Sequence, residues 1–202
     1  MPDPLAMRRD AYVTYLYRLD NDLRSRDPRR SAQARRSLAR LRHSFVEGRQ
    51  YQAYAIVFGH EPPHDSAEQQ VWLLVGGLFA LHPLPWKGGG AGPRSLGASM
   101  GRLHKKLGSP AVERRFTQLL ARDKQALPHH LRQTIRLLSA HEVPVHYGRL
   151  LDDLVTLLGK DHRGDRASSV RLRWAEEYYL PVSAPTTKSS DEPSTDLPET
   201  TQ

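Results

Sequence analysis

Guanidinium groups are the most concentrated chemistry in this chain. From Arg94 to Arg136 there are ten basic residues against two acids, Glu113 and Asp123, and from Arg24 to Arg49 there are nine against Asp27 and Glu47. Helical surfaces ordinarily alternate charge sign, because acid–base pairs one turn apart aid stability and solubility. Here the acids for such pairing are scarce. Most of the cations are arginine, whose planar fork of donors matches two oxygens of a phosphate. An arginine-rich genome explains arginine over lysine, but not why acids are depleted in these two segments and gather after residue 150. The pattern points to a polyanion held by its phosphates.

Other groupings have the spelling of catalytic motifs without the geometry. His60-Glu61-Pro62-Pro63-His64 matches the H-E-x-x-H zinc-protease pattern, which needs both histidines on one face of a continuous helix. Two prolines between them forbid that turn. Gly88-Gly89-Gly90-Ala91-Gly92 lacks the Gly-Lys-Ser/Thr ending of a phosphate loop and reads as a linker. Asp152 and Asp153 point 100° apart on a helix with no third carboxylate spaced to complete a two-metal site. Arg163-Gly164-Asp165 means adhesion only outside the cell, and His129-His130 read as polar surface. With no cysteine, thiolate zinc sites, disulfides and a cysteine nucleophile are excluded. We expect no catalytic residue, no metal and no cofactor.

The elements that must carry the cations are helical. Tyr12, Leu16, Leu19 and Leu23 mark one face of a helix over 7–24, and Leu38, Leu41 and Phe45 one face over 31–46. Ser66 and Gln69 have capping-box spacing. They precede Val71–Leu81, apolar all round and therefore central, but short of the roughly 20 residues a membrane span needs. Residues 82–95 read as a flexible loop. Leu96, Met100, Leu103 and Leu107 form the next stripe, ended by Gly108. Ser109-Pro110 starts a helix with Val112, Phe116, Leu119 and Leu120. Pro128 opens one with Leu131, Ile135 and Leu138. Pro144 opens another with Tyr147, Leu150, Leu151, Leu154 and Leu158, stopped by Gly159, and Val170 to Tyr179 makes the last.

No period-2 strand and no internal repeat is visible. The expected fold class is an all-α helical bundle over 1–182, in two lobes of about 1–87 and 94–182 joined by the Gly/Pro loop, with a disordered acidic tail over 183–202. That tail sets Lys188 against Asp191, Glu192, Asp196 and Glu199. Of the net +8, the other 182 residues therefore carry +11, an excess that favours a polyanionic partner. The first residues lack the apolar stretch of a signal peptide, so a cytoplasmic location is expected.

Turning 100° per residue sets the cations off the apolar stripes. Arg102, Lys105 and Lys106 lie clear of the Leu96 stripe, and Arg114, Arg115 and Arg122 clear of the Val112 stripe. Arg132 and Arg136, one turn apart, share a face. No zinc finger, aromatic RNP strand or helix-turn-helix is present to read bases, so contact with the backbone alone is expected.

At this level the C-terminal half resembles the CasB family, the small subunit of the type I-E CRISPR surveillance complex Cascade. The resemblance rests on Ser95-Leu96-Gly97 with Gly101-Arg102, on Glu113-Arg114-Arg115-Phe116-Thr117-Gln118-Leu119-Leu120, and on Leu131-Arg132-Gln133 with Arg136-Leu137-Leu138. Leu150-Leu151-Asp152-Asp153-Leu154 and Trp174-Ala175-Glu176-Glu177-Tyr178-Tyr179 extend it. It covers residues 8–180 and is strongest over 95–180. It implies a helical, non-catalytic protein that sits as a pair along the belly of Cascade and uses basic grooves to steady the guide–target hybrid and the displaced strand, while a separately recruited helicase-nuclease cleaves. Its partners would be the other Cascade subunits, guide RNA, target DNA and a second copy of itself, with no membrane. Carried onto matching positions, it marks Arg102, Arg114, Arg115, Arg122, Arg132 and Arg136, with Arg35 and Arg36 in the looser N-terminal half. Lys124 stands where an arginine is typical. The residues alone leave open a stand-alone helical DNA-binding regulator or architectural protein, a metal-dependent nuclease, and a scaffold for acidic proteins.

Overall fold

The computed structural model describes residues 4–86, 92–160 and 162–179. The glycine-rich segment 87–91 and the acidic tail lie outside the described residues. Among those residues the chain forms nine α-helices and no strand: α1 (Pro4–Leu23), α2 (Pro28–Arg42), α3 (Tyr51–Phe58), α4 (Ser66–Leu81), α5 (Leu96–Leu107), α6 (Pro110–Leu120), α7 (Leu127–Ala140), α8 (Tyr147–Leu158) and α9 (Asp165–Tyr179), with a 3-10 turn over His43–Phe45. The all-α class read from periodicity is the class observed.

The apolar run is the centre. Every residue of α4 from Val71 to Ala80 is buried, and α2, α7 and α8 pack against it. Tyr12 of α1 stacks on Trp72 at 4.8 Å and donates its hydroxyl to the Trp72 carbonyl at 3.0 Å. Phe79 meets Tyr147 of α8 edge-on at 5.0 Å. Buried residues of both halves form one hydrophobic cluster, each large side chain stabilising the fold by roughly 1.5–3 kcal/mol.

Several helix ends differ from the sequence expectation. Asp65, not Ser66, caps α4, accepting the Ala67 amide at 2.8 Å and the Glu68 amide at 3.3 Å. A full negative charge answers the positive helix end better than a hydroxyl. Gln69 turns away and donates to the Pro63 carbonyl. Pro144 does not open α8. Val145 instead makes a single parallel bridge to Pro85, and the helix starts at Tyr147 with His146 as its cap, Nδ1 accepting the Arg149 amide at 3.0 Å. Gly159 ends α8 in an extended conformation. α9 begins at Asp165 instead of Val170, and α3 was not anticipated at all, because it buries only Ala53 and Val57.

α9 lies unusually close to α5. A Cβ on Gly97 would stand 1.9 Å from the Trp174 carbonyl oxygen, and one on Gly101 2.5 Å from that of Tyr178. The two glycines let the backbones touch, which seats α5 and, through it, the basic α6–α7 pair.

Candidate nucleic-acid interface

Arginines divide into two groups by what they meet. Ion pairs among the described residues use Arg8, Arg9, Arg24, Arg30, Arg149, Arg173 and Lys160. Arg35, Arg36, Arg102, Lys106, Arg114, Arg115, Arg122, Arg132 and Arg136 take no part in them. The two acids amid the second basic segment are held by uncharged donors: Glu113 accepts the Tyr179 hydroxyl at 2.9 Å and Asp123 the Ala126 amide at 2.8 Å.

The ten expected residues occupy different settings. Arg35 and Arg36 are exposed on α2, and Arg114, Arg115 and Arg136 on α6 and α7, with no side-chain hydrogen bond among the described residues. Arg122 lies just beyond the C-terminal end of α6, past the cap residue Ala121. Arg122 donates to the Gln118 carbonyl at 3.2 Å. Beside it, partial burial first and then the Arg122 and His129 charges hold His130 below the ordinary imidazole range. Lys105 is exposed at the end of α5, and Lys106 donates to the His141 carbonyl at 2.8 Å. Arg102 is not the open cation that the helical wheel suggests. Its guanidinium lies 3.1 Å from the centre of the Trp86 ring, and burial lowers its pKa, although an arginine stays charged throughout the ordinary pH range.

Arg132 enters a cleft. The cleft, about 680 Å³, lies where α3 and the 3-10 turn face α7 across the flank of α4, and is lined by Phe45, Gln50, Tyr54, Gln70, Lys124, Gln125, His129 and Arg132 among others. Among the described residues no carboxylate lines it. The Arg132 guanidinium stands 5.4 Å from the Phe45 ring centre, within the reach of a cation–π contact, and its Nε–H is buried without an acceptor among the described residues. Lys124 Nζ donates to the Gly159 carbonyl at 3.2 Å, leaving two of its three N–H groups. Gly77 makes this arrangement possible, since a Cβ there would stand 2.7 Å from the Phe45 ring. His129, Arg132 and Arg136 follow one face of α7 at i, i+3 and i+7, so Arg136 continues the line outward. Of the ten expected residues, only Arg132 lines the cleft.

Sequence reasoning missed the other side of this cleft. Phe45 reads as a core residue of a long helix, yet it sits half-buried in the 3-10 turn, and Tyr54 belongs to the unanticipated α3. The i, i+3, i+7 spacing of Tyr51, Tyr54 and Phe58 is the signal that could have revealed α3 and its aromatic face.

The catalytic look-alikes have structural work. Asp153 is buried and accepts the Trp174 Nε1–H at 2.6 Å as well as Arg173, and Arg149 stands 3.5 Å away. Asp152 pairs with Arg9 at 3.5 Å. His60 packs against the Tyr15 ring at 4.7 Å, and Glu61 beside it takes a left-handed φ of 52°, incompatible with a helix through the motif. Among the described residues no helix is long and apolar enough to cross a membrane.

Comparison with known proteins bears on the whole arrangement. The family model described as CRISPR-associated protein Cse2 matches residues 22–179. A CRISPR-associated protein Cse2 from Thermus thermophilus is 32% identical over 114 residues, 55% of this chain and 57% of that protein, so the chain spans little more than half the length of this curated relative. The crystal structure of M. ruber CasB superposes with a TM-score of 0.61 at 25% identity, covering 85% of this chain and 92% of that one. A chain of a CRISPR RNA-guided surveillance complex shares the fold with a TM-score of 0.60 at 19% identity, over 86% of this chain and 92% of that one.

Proposed function

The chain belongs to the CRISPR-associated Cse2 family, also named CasB, and from that premise we propose that it is a non-catalytic, nucleic-acid-binding subunit of a type I-E Cascade surveillance complex. It steadies the guide RNA–target DNA hybrid and the displaced strand through contacts to their phosphates. Its partners are the other subunits of the complex, the guide RNA, the target DNA and a second copy of itself, in the cytoplasm. The contacting groups are Arg35, Arg36, Lys105, Lys106, Arg114, Arg115, Arg122, Arg132 and Arg136, with Arg102 held at Trp86 beside them.

The observation that carries this reading is that the exposed Arg35, Arg36, Arg114, Arg115 and Arg136 meet no carboxylate among the described residues. A fold that needed its cations for internal pairing would place carboxylates beside them, whereas here Glu113 and Asp123 are occupied by neutral donors. Pairing between guide and target supplies the sequence, and strand exchange is nearly balanced in free energy, so modest backbone contacts suffice to tip it. The internal commitments of Asp152 and Asp153 favour a subunit that binds without cleaving.

Binding of labelled single-stranded DNA and of an RNA–DNA hybrid, followed between 50 and 200 mM salt, tests the reading. Affinity should fall steeply with salt and be indifferent to sequence. Replacing Arg114 and Arg115 by Ala should shallow the log–log salt slope by roughly 0.7–0.9 for each phosphate no longer neutralised. An unchanged slope in that variant, preference for one sequence, or cleavage in magnesium that is abolished by Asp152→Asn would overturn it.

A further inference from the structure

α3 exposes its aromatic residues instead of burying them. Tyr51 is 64%, Tyr54 38% and Phe58 41% exposed, although the three share one face and Tyr54 and Phe58 meet edge-on at 5.6 Å. An exposed apolar stripe beside a polar rim marks a surface that something covers. The stripe runs into the cleft through Tyr54, and what faces it there is basic: Lys124 and Arg132, with the His129 ring beside them.

Between the two sides stand Gln50, Gln70 and Gln125, whose carboxamides make no hydrogen bond among the described residues. Each offers both a donor and an acceptor. The buried Arg132 Nε–H likewise waits for an acceptor, an arrangement that is costly until one arrives. The occupant is thus flat and aromatic on one side, anionic on the other, and able to donate and accept hydrogen bonds between. A nucleotide has that chemistry, and about 680 Å³ falls within the roughly 300–1,000 Å³ of small-ligand sites.

We propose that the cleft between α3 and α7 is a nucleotide site, holding one unstacked base against Tyr54, beside the Phe45–Arg132 pair, with its phosphate at Arg132 and Lys124. The inference rests on the nucleic-acid-binding reading above and adds to it, because phosphate contact alone is blind to whether a base is present. Stacking tolerates any base, so the site requires a base without choosing its identity. The unit comes either from a strand or from a free nucleotide, and both carry the same chemistry.

The test uses the full chain and three probes: an oligonucleotide with 2-aminopurine at one position, the same oligonucleotide abasic there, and AMP. Stacking should quench the 2-aminopurine fluorescence on binding, and the abasic strand should bind about tenfold more weakly. Tyr54→Ala, at an exposed position, should abolish the quench and erase the difference between the two strands while leaving the thermal midpoint unchanged. Arg114→Ala with Arg115→Ala should weaken binding yet keep the quench at saturation. Release of the quench by AMP supports the site with a free nucleotide as an occupant, and resistance to AMP together with the quench supports the strand alone.

Salt-dependent binding without quench, and with equal affinity for intact and abasic strands, overturns the cleft site while leaving the phosphate-binding reading intact. No binding of any strand overturns that reading first. Tyr54-dependent binding of a glutamate–tyrosine peptide, with intact and abasic strands indistinguishable, makes the occupant a protein and also overturns the inference.

Discussion

At the junction of α8 and α9 two guanidiniums are drawn onto one carboxylate. Arg149 and Arg173 converge on buried Asp153, and Arg9 bridges Glu68 and Asp152. On α2, α6 and α7 the same residue type is turned outward, with Arg35, Arg36, Arg114, Arg115 and Arg136 meeting no acid among the described residues. The difference lies in the carboxylates and not in the arginines. A buried carboxylate must be satisfied, so it recruits cations and ties helices together, whereas a surface stripped of acids leaves cations available to an external anion. Counting arginines therefore says little about where a polyanion binds; asking which carboxylates they answer says much.

That contrast can be broken from its paired side. Asp153→Ala removes the acceptor of both Trp174 and Arg173 and should cost about 3–5 kcal/mol of stability, measured by urea unfolding, while the folded fraction still binds nucleic acid. A destabilisation below about 1 kcal/mol, the size of an ordinary substitution, would mean that the α8–α9 junction does not depend on this carboxylate. Gly97→Ala should cost about 3 kcal/mol, because the atom its Cβ meets is the Trp174 backbone carbonyl, which moves only with α9. A crystal structure of that variant should show the two helices spread apart.

Protons probe the same side more gently. Burial holds His146 and His82 below the ordinary 6.5. His146 serves as a cap acceptor through an unprotonated Nδ1, and neutral His82 donates Nε2–H to the Val143 carbonyl at 2.7 Å. The unfolded chain takes up protons near pH 6.5 and the folded chain only at lower pH. Their stabilisation is therefore complete above about pH 6.5 and is lost as pH falls through the folded values, by up to about 1.4 kcal/mol per pH unit for each histidine. His146→Ser keeps a capping oxygen and should flatten the urea midpoint between pH 7.5 and 5. The smallest effect on stability belongs to the outward side. Arg35→Ala with Arg36→Ala should change the unfolding free energy by less than about 0.5 kcal/mol while weakening binding to single-stranded DNA. A large destabilisation would place these arginines with the paired group.

How much was legible follows from how strongly each signal is tied to local sequence. α4 to α6 could be read because dense apolar residues, Ser109-Pro110 and Gly108 act within one or two turns, and Gly108 does close α5 in the left-handed conformation. α3 could not, because a helix that buries only Ala53 and Val57 leaves almost no periodicity to find. Starts were misjudged where a neighbour competed: Asp65 displaced Ser66 at the free amides, and Pro144 was drawn into the extended contact between Val145 and the segment after α4. The cations could be read as a population, but the carbonyl bonds of Lys106 and Arg122 and the Trp86 contact of Arg102 join residues separated by helical turns or whole elements.

The order of hydrophobic and polar residues by itself determined an all-helical chain around a central apolar helix, with basic residues outnumbering acids on the faces left over, because periodicity and composition are properties of the linear chain. Which arginines stay open to a partner, and the cleft that sets Tyr54 and Phe45 against Arg132 and Lys124, were decided only by tertiary packing. The glycine pairs on α4 and α5 let particular helices come close enough to touch, and no residue's own type states which distant carboxylate or ring it will meet.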